Sequence, residues 1–108
     1  MFNVDYNKIK RLDEMDSLTL TDKGLKLSEE TGEALAEILS YIDANNKSKS
    51  AKGTPEVLAE ELIDVIIVAK SAILNTGLSS EELNDIVDAK LDKWESKIRK
   101  RKEILNEN

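Results

Sequence analysis

The chain has 108 residues, 22 of them acidic against 16 basic, a net charge of −6, and neither cysteine nor histidine. That length holds one hydrophobic core, and the negative balance argues against a basic surface for nucleic acid. Without Cys or His there are no disulfides, no zinc sites of the usual kinds and no thiol or imidazole nucleophile, so carboxylates are the main chemical resource.

No apolar run approaches the roughly 20 residues that span a bilayer. A cytoplasmic protein with no membrane partner is the expectation. One proline, four glycines and an abundance of Leu, Ile, Ala, Glu and Lys favour helices over strands. The reading is all-α: a four-helix-bundle-type oligomer of one domain over residues 1–108, with a short N-terminal helix and three longer ones.

The first helix is expected over about Val4–Met15, with Val4, Ile9, Leu12 and Met15 near one face. The second runs over about Leu20–Ala44, opened by Thr19 with Asp22 three residues on, and carries Leu27, Ala34, Leu35, Ile38 and Ile42 at helical spacing. Asp43–Gly53 reads as a polar loop, and its Lys47–Lys52 part as a solvated linker or a flap over a ligand. Thr54, Pro55 and Glu56 supply a cap, a first-turn proline and a first-turn acid for a third helix that ends near Asn75, before Gly77. Ser79 and Glu82 form a capping-box pattern for a fourth helix reaching about Glu103.

From Val57 to Leu74 thirteen of eighteen residues are apolar, on every side of the helix. Such a helix is buried all round, and three short neighbours do not enclose it. A second copy of the chain is the expected cover, as a homodimer or homotetramer.

Glu61 and Asp64 interrupt this apolar helix, about 60° apart on its wheel and flanked by Leu58, Val65 and Val68. A buried, unpaired carboxylate costs several kcal/mol or is neutralised through a raised pKa. Glu30 and Glu33 form a matching i, i+3 pair on the second helix. Two such pairs facing each other repel unless hard divalent cations lie between them, and all-oxygen ligands select Mg²⁺, with Mn²⁺ as a substitute.

The run Lys26-Leu27-Ser28-Glu29-Glu30-Thr31-Gly32-Glu33-Ala34, followed by Glu61-Leu62-Ile63-Asp64 with a 27-residue spacer between Glu33 and Glu61, resembles the signature of the MazG-like all-α nucleoside triphosphate pyrophosphohydrolases. The resemblance covers the middle half of the chain. It implies hydrolysis of an NTP or dNTP to the monophosphate and pyrophosphate, in nucleotide-pool housecleaning. It also implies Glu30, Glu33, Glu61 and Asp64 as metal ligands, with Glu29, Glu30 or Glu33 orienting the attacking water. Glu37 shares the face of Glu33 and is a candidate outer carboxylate.

Substrate contacts are sought among Lys26, Lys90, Lys93, Trp94 and Lys97. Lys90 lies within the fourth helix's stripe of Leu83, Ile86, Val87, Leu91, Trp94 and Ile98, with Lys93 and Lys97 towards its edge. A stem packed on the core with its amine in water is the plain alternative for Lys90. Trp94, one of four aromatic residues, is suited to stacking on a base or to core packing. Relatives carry Lys-Asn-x-x-Arg in this helix, whereas this chain reads Lys93-Trp94-Glu95-Ser96-Lys97. The basic tail after Lys97 complements the helix dipole.

Two alternatives stand beside this reading. One is a non-catalytic helical bundle that binds a partner protein. The other is a phosphoribosyl-ATP pyrophosphohydrolase, although the Tyr-His pair expected after its Glu-x-x-Asp is Ile67-Val68 here.

Overall fold

The computed structural model describes residues 2–47 and 53–107. Among them the backbone forms four helices and no strand: α1 (Tyr6–Met15), α2 (Leu20–Lys47), α3 (Pro55–Leu74) and α4 (Ser80–Glu107). The all-α expectation therefore holds. The chain divides into two units, Met1–Thr76 with α1 to α3, and Gly77–Asn108 with α4. No helix among the described residues is long and apolar enough to cross a membrane.

Helix starts follow local chemistry. The Asp5 carboxylate accepts from the Lys8 amide at 3.1 Å, so α1 begins at Tyr6 rather than Val4. Thr19 and Asp22 exchange reciprocal side-chain to backbone bonds of 3.1 and 2.9 Å ahead of α2, and Ser79 and Glu82 do the same at 3.1 Å each before α4. The Thr54 hydroxyl accepts from the Val57 amide at 3.2 Å, with Pro55 in the first turn of α3.

Helix ends depart further from the pattern. α2 continues through Asn45, Asn46 and Lys47, where a polar loop was expected, because an established helix adds one hydrogen bond per residue without needing apolar side chains. For the same reason α4 extends beyond Glu103 to Glu107, with no Gly or Pro to stop it. The suggested flap at Lys47–Lys52 lies outside the described residues, apart from the Lys47 backbone that closes α2.

In the first unit α2 and α3 pack as an antiparallel pair. Lys23 reaches Ser71 and Asn75 at one end, and Gly53 lies against Ser40 at the other. Gly53 is buried with φ +78°, and a Cβ there would stand 2.6 Å from the Ser40 carbonyl oxygen, so only glycine lets the chain turn this close to α2.

The α2 side of the seam steps by alternating fours and threes through Lys23, Leu27, Glu30, Ala34, Glu37 and Tyr41, each buried or half-buried. On α3 the matching positions are Leu58, Glu61, Val65, Val68 and Ala72, also buried or half-buried. A search for apolar heptads passes over this series because Lys23, Glu30 and Glu37 occupy core positions. Ala34, 4% exposed, is small enough for the helices to approach beside the acids.

α1 lies against α3 and is tied to it by the Lys70 ammonium, which donates to the Val4 carbonyl at 3.0 Å. Of its expected apolar face only Ile9 is buried, while Leu12 and Met15 are exposed. α3 is not enclosed all round by α1 and α2 of its own unit, since Val57, Leu62, Ile67 and Ile73 keep about two-fifths of their surface. Its buried centre is Val68.

Candidate metal centre

Midway along the seam the i, i+3 spacing on each helix carries acids inward. One carboxylate oxygen from each of Glu30, Glu33 and Glu61 lies within 4.8 Å of the others. Glu30 and Glu61 are half-buried and Glu33 is exposed. One oxygen of each half-buried acid, Glu30 Oε2 and Glu61 Oε2, is shielded from solvent and has no hydrogen-bond partner among the described residues. Buried polar atoms are ordinarily bonded, so two orphaned acceptors facing across one seam call for a donor or a cation.

Electrostatics agrees with the geometry. Burial pushes the Glu30 carboxyl above its ordinary pKa, and the charges of Glu33, Asp64 and Glu29 push it further, while Lys26 opposes them. Glu61 is raised first by burial, then by Asp64, Glu30, Glu37 and Glu60. Glu30 and Glu61 repel one another and hold protons more tightly than free carboxylates do.

The donor set suits a hard ion. Two opposed Mg²⁺–oxygen bonds span about 4.2 Å, and three oxygens within 4.8 Å of one another can be brought to one ion by small side-chain adjustments. Carboxylate oxygens without nitrogen or sulfur are ligands of the kind that suit Mg²⁺, Mn²⁺ and Ca²⁺.

The remaining expected residues are placed as follows. Asp64 is exposed and stands outside the triple, near enough for its charge to act on Glu30 and Glu61. Glu29 is exposed beside Glu30, and half-buried Glu37 acts on Glu61 from the next turn of α2. Lys26 lies one turn before Glu30 and also lines a cleft of about 170 Å³ walled by Ile9, Leu12, Asp16, Ile67 and Val68. Lys90, Lys93, Trp94 and Lys97 belong to α4, in the second unit, and all four are exposed.

Sequence reasoning missed a second polar cluster seven residues before Glu30. Lys23 is 2% exposed, and its ammonium pairs with Asp13 Oδ1 at 2.8 Å while donating to the Ser71 carbonyl at 3.1 Å and Asn75 Oδ1 at 2.6 Å. The Ser71 hydroxyl donates to the same Asp13 oxygen at 2.9 Å. The hydrogen bond from Lys23 holds the Asp13 carboxyl below its usual range against a smaller opposing effect of burial. One ammonium thus fastens α1, α2 and the end of α3. Its sequence signal was register, because Lys23 continues the series of Leu27, Glu30 and Ala34 backwards by one step.

Fold and site together define an all-α chain with an acidic triad on the α2–α3 seam. Comparison with family models, with curated proteins and with solved structures finds no match. The functional reading therefore rests on the chain's own residues.

Proposed function

We propose that the chain is a Mg²⁺-dependent pyrophosphohydrolase that converts a nucleoside or deoxynucleoside triphosphate to its monophosphate and pyrophosphate, in nucleotide-pool housecleaning. The observation that carries the proposal is the pair of orphaned, shielded oxygens Glu30 Oε2 and Glu61 Oε2, set at the positions of the pyrophosphohydrolase-like carboxylate signature. Glu30, Glu33 and Glu61 would hold the ion, with Asp64 alongside. Bound there, Mg²⁺ supplies charge neutralisation for the phosphate oxygens and a fixed point for the triphosphate.

The chain's own groups then have definite tasks. Carboxylates of the triad or Glu29 orient a water whose oxygen attacks the α-phosphorus, and the bond from that phosphorus to the bridging oxygen breaks. Pyrophosphate leaves with the electron pair, and the water's proton passes to a carboxylate. Lys26, the cation that acts on Glu30, offsets charge on the phosphates. The exposed apolar residues Val57, Leu62, Ile67 and Ile73 of α3 support a homo-oligomer in the same reading.

Incubation with a panel of nucleoside and deoxynucleoside triphosphates, followed by phosphorus NMR, tests the reading. Mg²⁺-dependent release of pyrophosphate by the wild type, lost in Glu61→Gln, is expected. Release of orthophosphate, or no turnover of any member of the panel with Mg²⁺ bound, contradicts it.

A further inference from the structure

The cleft that Lys26 lines has a chemistry of its own. It lies within the first unit, between aliphatic walls of Ile9 and Leu12 on α1 and of Ile67 and Val68 on α3, with a volume of about 170 Å³. Ile9 and Val68 are buried, whereas Leu12 and Ile67 are 48 and 40% exposed, so the cleft opens to solvent. An apolar cavity of about 150 Å³ takes one benzene ring, so this space suits a single six-membered ring and is too small for a whole nucleotide.

Its polar lining is almost all acceptor. The Lys23 ammonium has three N–H groups and spends them on Asp13, the Ser71 carbonyl and Asn75. The Ser71 hydroxyl gives its one proton to Asp13. Both bonds to Asp13 fall on Oδ1, and Asp16 takes the Ser17 amide on its own Oδ1 at 2.9 Å, which leaves the second oxygen of each carboxylate for a donor. Lys26 is the lining cation with protons still to give, and it stands one turn before Glu30, on which its charge acts. On α3 Val68 follows Asp64 by one turn. Each step is about 6 Å, so a ring in the cleft sits beside the acids at the span that separates the base of a nucleotide from its phosphates.

We infer that the cleft takes an aminopyrimidine ring, the cytosine of a nucleoside or deoxynucleoside triphosphate, with the exocyclic amino group donating to Asp16 and Asp13 and Lys26 turned to the phosphates. A carbonyl at that ring position, as in uracil or thymine, sets oxygen against carboxylate, and a two-ring purine exceeds the space. Assigning the ring to a triphosphate substrate rests on the pyrophosphohydrolase reading, whereas recognition of the ring by the cleft does not.

Deoxycytidine and deoxyuridine, titrated without metal into the full chain with labelled methyl groups and followed by NMR, test the cleft by itself. Deoxycytidine should shift the methyl resonances of Ile9, Leu12, Ile67 and Val68, and deoxyuridine should bind at least about tenfold more weakly. Asp16→Asn can keep the bond from Ser17 through its carbonyl oxygen while presenting an amide N–H to the ring, so it should remove the preference or reverse it. Leu12→Trp, which fills the cleft from an exposed position, should abolish the shifts while circular dichroism and melting stay close to wild type. The pyrophosphohydrolase reading is tested apart with Mg²⁺ and inorganic tripolyphosphate, which carries no base. Binding that is lost in Glu61→Gln supports that reading, and its absence defeats that reading while the preference of the cleft stands. No methyl shifts with deoxycytidine, equal binding of deoxyuridine, or a preference unchanged in Asp16→Asn overturns the inference.

Discussion

Two stretches of the α2–α3 seam, seven residues apart, withdraw charge from water and treat it in opposite ways. At Lys23 the ammonium spends its donors on Asp13, Ser71 and Asn75, and the partner acid is held below its ordinary pKa. At Glu30 and Glu61 shielded oxygens have no partner among the described residues, and both acids are held above theirs. Both stretches look anomalous in a helix seam, so burial of charge alone does not mark a site. Satisfaction separates them: the first cluster is complete as a clip between helices, and the second is complete only with something added.

The largest effect should come from breaking the complete stretch. Lys23→Met leaves Asp13 without its counter-ion, with the carboxylate side chain still only 25% exposed. Removing one partner of a buried pair costs about 3–5 kcal/mol, and the partial exposure of Asp13 brings the expectation to about 2–3 kcal/mol. Denaturant unfolding measures this directly. Replacing both members, Lys23→Met with Asp13→Leu, should recover most of the loss, and equal losses in single and double variants would mean that the clip holds nothing by charge.

An intermediate effect should come from completing the incomplete stretch. Mg²⁺ should raise the melting temperature of the wild type, by about 1.4 kcal/mol of stability at tenfold excess over its dissociation constant. Glu61→Gln should lose most of that response and, without metal, melt above the wild type because a source of repulsion has gone. Lys23→Met should keep the Mg²⁺ increment from its lower starting point. If both variants lost the increment equally, the contrast between the two stretches would fail.

The smallest effect is the pH dependence, where the two stretches have opposite signs. Asp13 is depressed, so its contribution is present above the ordinary Asp value of 3.8 and is lost as pH falls through its lowered folded-state pKa. Glu30 and Glu61 are raised, so their contribution is present below the ordinary Glu value of 4.5 and is lost as pH rises through their folded-state pKa. Metal-free protein should therefore be most stable in mildly acidic solution and lose stability on both sides. Saturating Mg²⁺ should flatten the neutral side and leave the acid side unchanged, as a melting series across pH will show.

How much of this was legible in the sequence follows from the range of each signal. The reciprocal bonds of Thr19 with Asp22 and of Ser79 with Glu82 span three residues, and the starts of α2 and α4 were read from them to within a residue. Glu61 and Asp64 stood out because acids in an apolar run contradict the pattern around them, and Glu30 and Glu33 entered as the matching i, i+3 pair, although nothing in that pattern brought Glu33 into the triple and left Asp64 beside it. Lys23 was not legible as a core residue, since its partners lie 48 and 52 residues ahead on or beyond α3 and ten residues behind on α1. A lysine reads as solvated until the fold supplies every acceptor.

The central claim is that Glu30 and Glu61 share a hard cation. Titration of metal-free protein with Mn²⁺, following the free-ion signal by electron paramagnetic resonance, tests it most directly. Saturable loss of the signal in the wild type, reversed by Mg²⁺ and abolished in Glu30→Gln and Glu61→Gln but retained in Lys23→Met, is the predicted result. Equal Mn²⁺ uptake by wild type and both glutamine variants would place the ion elsewhere and contradict the account.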